Sequence, residues 1–188
     1  MEMNKFSFGR LSYRRLRHTY GFGVHSPFAF RLVKDVVRPG RAYSWYGYED
    51  IDAAVNSRRT GIRVERQAKM FLRLLAFLNP KSLFLPLGSD PLYHVAASAC
   101  TGLKRIERKP KNADECDMIA THNDFISLKI LKEHISQPGK SIVILDYPDG
   151  WLENLFETLP QGLMLYSRHN AIIINRLGMM KLHYSIFL

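Results

Sequence analysis

Four places in the sequence hold residue types that could do chemistry. The stretch SLFLPLG (82–88) ends in Gly88, and Glu107 stands 19 positions further on. A glycine turn followed by an acid roughly 20 residues later is the spacing by which nucleotide-binding α/β sites hold ribose hydroxyls. Gly88 has no GxGxxG or GKS/T company, so the dinucleotide and phosphate-loop fingerprints fail. The second place is GFGVHSPF (21–28), where His25 could serve as a general base near pH 7. Its competing reading is structural, because Ser26 suits a helix N-cap and Pro27 the first helical position. The third comprises His94, His122 and His134, which lack the Asp–His–nucleophile order of a triad. The fourth, Tyr43, Trp45, Tyr46 and Tyr48, is either a lid over a flat substrate or the anchor of a long loop, with the anchor favoured.

Composition bounds what can surround these residues. With 188 residues, 46% apolar and 23% charged, the chain has the make-up of a folded domain with a real core. Cys100 and Cys116 have neither metal spacing nor a disulfide framework, which points to thiols in a reducing compartment. The start carries no continuous apolar leader, and no apolar run nears the roughly 20 residues of a spanning helix. A cytoplasmic protein without a transmembrane segment is expected. The net charge of +10 is uneven: Lys5, Arg10, Arg14, Arg15, Arg17, Arg31, Lys34, Arg38 and Arg41 face only Glu2 and Asp35 up to residue 41. A second basic run is KRIERKPK (104–111). Such surfaces attract nucleic acid or anionic headgroups, or simply solubilise a face. No nucleic-acid-binding signature accompanies the charge.

The elements that must position these residues follow from periodicity. FAFRLVKDVV places Phe28, Leu32 and Val36 at four-residue spacing, predicting a helix behind Ser26-Pro27. Residues 38–52 predict a loop. Residues 62–78 predict a helix with Ala68, Phe71, Leu75 and Leu78 on one face, stopped by Asn79-Pro80. Beyond Pro80 the period shortens, predicting strands at 82–88, 103–107, 116–120 and 141–147. Helices are predicted at 90–100, 125–135 and 151–159. Residues 162–168 and 170–176 predict a strand pair. This alternation predicts an α/β fold with a mainly parallel sheet closed by an antiparallel hairpin. Residues 1–61 are expected to form a basic, aromatic helical cover, and residues 62–188 the α/β domain.

In this order the motifs resemble class I S-adenosylmethionine-dependent methyltransferases. More narrowly, they resemble small O-methyltransferase-like proteins with a GFGxHSPF-type N-terminal segment. SLFLPLGSDPLYHVAASA is similar to their first strand, glycine loop and helix, and RIERKP to the end of their second strand. CDMIATHND and SIVILDYPDGW resemble their fourth and fifth strands, and AIIINRLGMMKLHYSIFL their last strand and tail. The resemblance implies a Rossmann-like three-layer sandwich. It also implies S-adenosylmethionine held near Gly88, Ser89, Glu107 and His122, and a catalytic role for Asp146 or for His25 over the pocket mouth.

The departures from that family are specific. Pro86 stands where an acid is usual near the end of the first strand, and Pro91 or Leu92 replaces the loop's second glycine. Between Glu107 and Asp117 only RKPKNADEC remains where a helix and a strand are usual. About eight extended residues reach roughly 26 Å, and crossing one strand and returning along the sheet needs about 20 Å. The fold can therefore close with its second strand at an edge, shielded by lysines and arginines. Asp146 with Thr121-His122 opposite is a poor Mg²⁺ site, so no metal is expected. Three functions remain: a methyltransferase-like protein with a degenerate cofactor site, a working O-methyltransferase acting on a small-molecule acceptor, and a basic polyanion-binding module.

Overall fold

The computed structural model describes residues 18, 20, 21, 23–39, 47–58, 61–112, 114–122, 126–145, 150–167 and 170–186, the Arg58 side chain excepted. The first described helix, α1 (Pro27–Arg31), begins as its sequence demands. Ser26 Oγ accepts from the Ala29 amide at 3.3 Å, and Pro27 opens the first turn. The expected continuation to Val37 is present in a wider form, a π-helical turn over Leu32–Val37 closed by Arg38 N–H to Val33 O at 2.8 Å. Widening buries Leu32, Val33 and Val36 together, and the Val36 carbonyl accepts from Arg73 Nε at 2.7 Å.

Part of the expected loop at 38–52 is instead helical: α2 (Tyr48–Arg58) starts at its aromatic end, with Glu49 and Asp50 in the first turn where they favour the helix dipole. Helix α3 (Ile62–Leu78) has its predicted bounds, ending at Asn79 with φ 48° before Pro80. Strand β1 (Ser82–Phe84) is shorter than predicted, since Pro86 can donate nothing to a ladder. There follow α4 (Pro91–Ser98), β2 (Lys104–Ile106), β3 (Met118–His122), α5 (Leu128–Ser136) and β4 (Ser141–Leu145). The chain continues with α6 (Trp151–Thr158), β5 (Leu163–Tyr166), β6 (Asn170–Ile174) and β7 (Leu182–Ser185).

The strands form one seven-stranded mixed sheet in the order β2-β1-β3-β4-β6-β5-β7. Only β6 runs against its neighbours; every other pairing is parallel. Side chains alternate between two cores, as a strand period of two requires. Val143 and Leu145 join the core under α1 to α4, whereas Ile142 and Ile144 join the one under α5 and α6. Helices therefore cover both faces, and the architecture is α/β with a mostly parallel sheet. Val24, Ala29, Leu32, Val36 and Ile51 belong to the same core as Leu83, Met118 and Val143, so the described N-terminal helices pack directly on the sheet layer.

Two connections shape the sheet edges. Between Ile106 and Met118 the chain passes from β2 across β1 to β3, and none of the described residues of that stretch lies in a helix or strand, leaving β2 at an edge with Lys104 and Arg105 exposed. At the other edge the tail adds β7, a strand outside the sequence-based expectation. Leu182 N–H bonds Gly162 O and Ile186 N–H bonds Tyr166 O, each at 2.8 Å. Gly162 has φ +112°, and a Cβ there would lie 2.1 Å from the Ile174 carbonyl oxygen, so only glycine fits this crossing.

Candidate functional site at the carboxyl edge of the sheet

In an open α/β sheet the natural crevice lies beyond the carboxyl ends of the strands, where neighbouring connections diverge. Here that point falls between β1 and β3, since the chain leaves β1 toward β2 and returns to build β3 and β4 on the other side. Gly88 and Ser89 follow β1, Glu107 follows β2 directly, and His122 is the last residue of β3. The register pairs Phe84 with Ile106 and Ile119, which brings all four residues to one edge of three adjacent strands. At the usual strand spacing that edge is about 10 Å across.

The turn after β1 is tightly bound. Pro86 is buried, and its carbonyl accepts from Ser89 N–H at 2.9 Å and from His94 Nε2 at 3.2 Å. Asp90 Oδ1 accepts from Leu92 N–H at 2.9 Å, capping α4. Leu92 is 1% exposed and belongs to the core, so it does not stand in the crevice; Leu87, at 69%, stands on the rim. The Ser89 hydroxyl is buried and finds no hydrogen-bond partner among the described residues. A buried orphan hydroxyl is costly unless something else satisfies it.

Other expected residues are placed differently. Glu107 is exposed and opens onto a small hollow of about 340 Å³ bounded by Lys104, Arg105, Arg108 and Glu115, without Gly88. His122 is half-buried at the end of β3. Asp146, Tyr43, Trp45 and Tyr46 lie outside the described residues. His25 is at the opposite end of the molecule. It lines a cavity of about 570 Å³ with Arg31, Arg176 and Met179, beside the amino ends of the parallel strands. Ser26 is occupied as a helix cap, and Phe28 packs on Phe77 with the Arg176 guanidinium over its ring. The described residues of GFGVHSPF thus form a turn and a capped helix start, docked away from the Gly88 edge. Tyr48 anchors α2 to α3: its hydroxyl accepts from Arg73 Nη1, and the Lys69 ammonium sits 5.3 Å from its ring centroid.

The amino edge holds the more closely bonded polar cluster. Asp117 Oδ2 accepts from Lys81 N–H, Ser82 N–H and Ser82 Oγ at 3.0–3.1 Å. Partial burial pushes the Asp117 carboxyl up, but the Ser82 hydroxyl, Lys140 and the two amides outweigh it and hold the group below its ordinary value. Burial pushes the Cys116 thiol up to about 11 and raises Cys100 as well, so neither is an activated nucleophile. No cluster of three or more His, Cys, Asp or Glu side chains suited to a metal occurs among the described residues. No helix among them is long and apolar enough to cross a membrane.

The sequence reading passed over a row of cations on α3. Arg63, Arg66, Lys69 and Arg73 recur at three- and four-residue steps and line one cleft. The signal was the helical spacing of like charges, hidden because the amphipathic pattern of the apolar face was read instead. Comparison of the chain with protein-family models, with curated proteins and with solved structures gave no match.

Proposed function

We propose that the protein is a class I methyltransferase-like protein with a degenerate S-adenosylmethionine site and little or no methyl transfer. The observation that carries this reading is the sheet itself. A mostly parallel sheet takes its one antiparallel strand from a C-terminal hairpin, and its second strand lies at an edge behind a bare crossover. That is the shortened arrangement the sequence resemblance implies. The uncoupled cysteines suit the reducing cytoplasm.

The donors on the carboxyl edge suit an adenosyl ligand only in part. Ser89 offers an unpartnered hydroxyl and Glu107 a carboxylate on the next strand, while Pro86 supplies no acid and Leu87 an apolar rim. No methyl-transfer step is derived from so incomplete a set. The Ser89 hydroxyl also favours a second reading, a working O-methyltransferase with a trimmed pocket for a small-molecule acceptor.

Thermal unfolding with S-adenosylmethionine or S-adenosylhomocysteine separates the two. A ligand at about 100 times its dissociation constant adds about 2.7 kcal/mol, a rise of roughly 5–10 °C for a domain this size. The degenerate site predicts no rise at millimolar ligand. A rise that Glu107→Ala abolishes overturns it in favour of the working enzyme.

A further inference from the structure

The cleft between the π-helical turn and α3 concentrates positive charge, most of it without an acid partner among the described residues. Its volume is about 730 Å³, and Arg38, Arg63, Arg66, Lys69 and Arg73 line it. Lys69 is neutralised by Asp52 and by Glu65, the latter at 2.8 Å. Arg38, Arg63, Arg66 and Arg73 have no carboxylate partner among the described residues.

Arg73 is the decisive residue, because it is only 6% exposed. Its Nε donates to Val36 O at 2.7 Å and its Nη1 to the Tyr48 hydroxyl, with the guanidinium carbon 5.9 Å from the Tyr48 ring centroid. A buried cation held by neutral groups alone is poorly compensated, and an anion beside it repairs the deficit. Above it, Arg66 and Arg63 extend the row along about 15 Å of helix. Like charges at this spacing repel one another along a helix unless a counter-charge lies across them. The first turn of α3 also opens at the cleft through Ile62 and Arg63, and its N-cap, Gly61, provides no side-chain acceptor. The positive helix end adds to the same field.

We propose that this cleft binds a small phosphate-bearing anion of more than one charge, of the diphosphate or triphosphate kind, with Arg73 as its deep anchor. The guanidinium fork matches phosphate oxygens in pairs. A charged row about 15 Å long suits several phosphate groups better than one. The concavity and the apolar wall of Val37 and Met70 suit a compact ligand rather than a polymer backbone. The proposal stands on the end of the π-helical turn, Arg38 and α3, and does not depend on S-adenosylmethionine binding.

The test is calorimetric titration of the full chain at fixed ionic strength with inorganic pyrophosphate and adenosine diphosphate, and with a single-stranded oligonucleotide as the polymer. The expected result is saturable binding of the small phosphates. Arg63→Glu/Arg66→Glu, both at exposed positions, should weaken it at least about tenfold. Lys104→Glu/Arg105→Glu, on the β2 edge, should change it less than about twofold. Absence of saturable binding of either small phosphate at millimolar concentration overturns the proposal, with or without oligonucleotide binding. Equal weakening by both double variants also overturns it, since it would mark a diffuse basic surface.

Discussion

Two polar groups at opposite edges of the sheet, Asp117 and Ser89, are treated in opposite ways, although the amino edge also keeps one buried acceptor, Asn175 Oδ1, without a partner among the described residues. At the amino edge Asp117 gathers three donors from Lys81 and Ser82, Ser82 Oγ accepts in turn from Asp117 N–H at 3.0 Å, and Lys140 Nζ bonds Cys116 O at 2.7 Å. The cluster ties the starts of β1 and β3 to the residue before β4. At the carboxyl edge β1 leads into an exposed leucine and a buried hydroxyl without a described partner, and β2 into an exposed glutamate. Saturated polar groups stabilise a fold, and unsaturated ones are where a ligand could gain most. The Asp117 cluster is thus a structural tie, and the Ser89 turn the candidate binding point.

That contrast can be broken by substitution. Gly162→Ala, at the amino end of β5, should have the largest effect. Its Cβ would meet backbone at 2.1 Å in a left-handed conformation, so a loss of about 3 kcal/mol or more is expected by chemical denaturation. Asp117→Asn should cost about 1–2 kcal/mol at neutral pH through its hydrogen bonds. Because the folded carboxyl is held below its ordinary value, its contribution is present above the unfolded value near 3.9. It is lost as pH falls through the lower folded value. The difference between wild type and variant should therefore vanish in acid, and a constant difference would assign it to packing instead.

The smallest effects make the sharpest comparison. Ser82→Ala should cost about 1 kcal/mol, because its hydroxyl both donates to and accepts from Asp117. Ser89→Ala should be neutral or stabilising by up to about 1 kcal/mol, because it removes a buried hydroxyl that nothing described satisfies. Matched denaturation curves decide this. A loss at Ser89 as large as that at Ser82 would mean both edges are built for stability.

Much of the fold was legible in local patterns. The Ser26-Pro27 cap, the helix at 62–78 and the stop at Asn79-Pro80 are events within a few residues, and they were read correctly. The tail strand was missed although Leu182, Tyr184 and Ile186 alternate with His183 and Ser185, a period of two in a short edge segment. Helix α2 was missed because its apolar face is weak and its support comes from outside: Tyr48 is held by Arg73 and Lys69 of α3. The candidate site was half legible. Spacing from Gly88 to Glu107 brought both to one edge, but whether they share a pocket depends on side-chain direction, which spacing does not carry.

The sequence by itself determined most of the elements, the Ser26-Pro27 cap and the Asn79-Pro80 stop, and the period-two alternation that sends Ile142 and Val143 to different cores. Those follow from backbone geometry and neighbouring side chains. The tertiary structure alone decided that β6 inserts between β4 and β5, and that β7 closes the edge. It also set His25 at the amino edge and buried Arg73 without an acid partner among the described residues. These are choices among distant partners, made by which surfaces bury together, and no short stretch of chain encodes them.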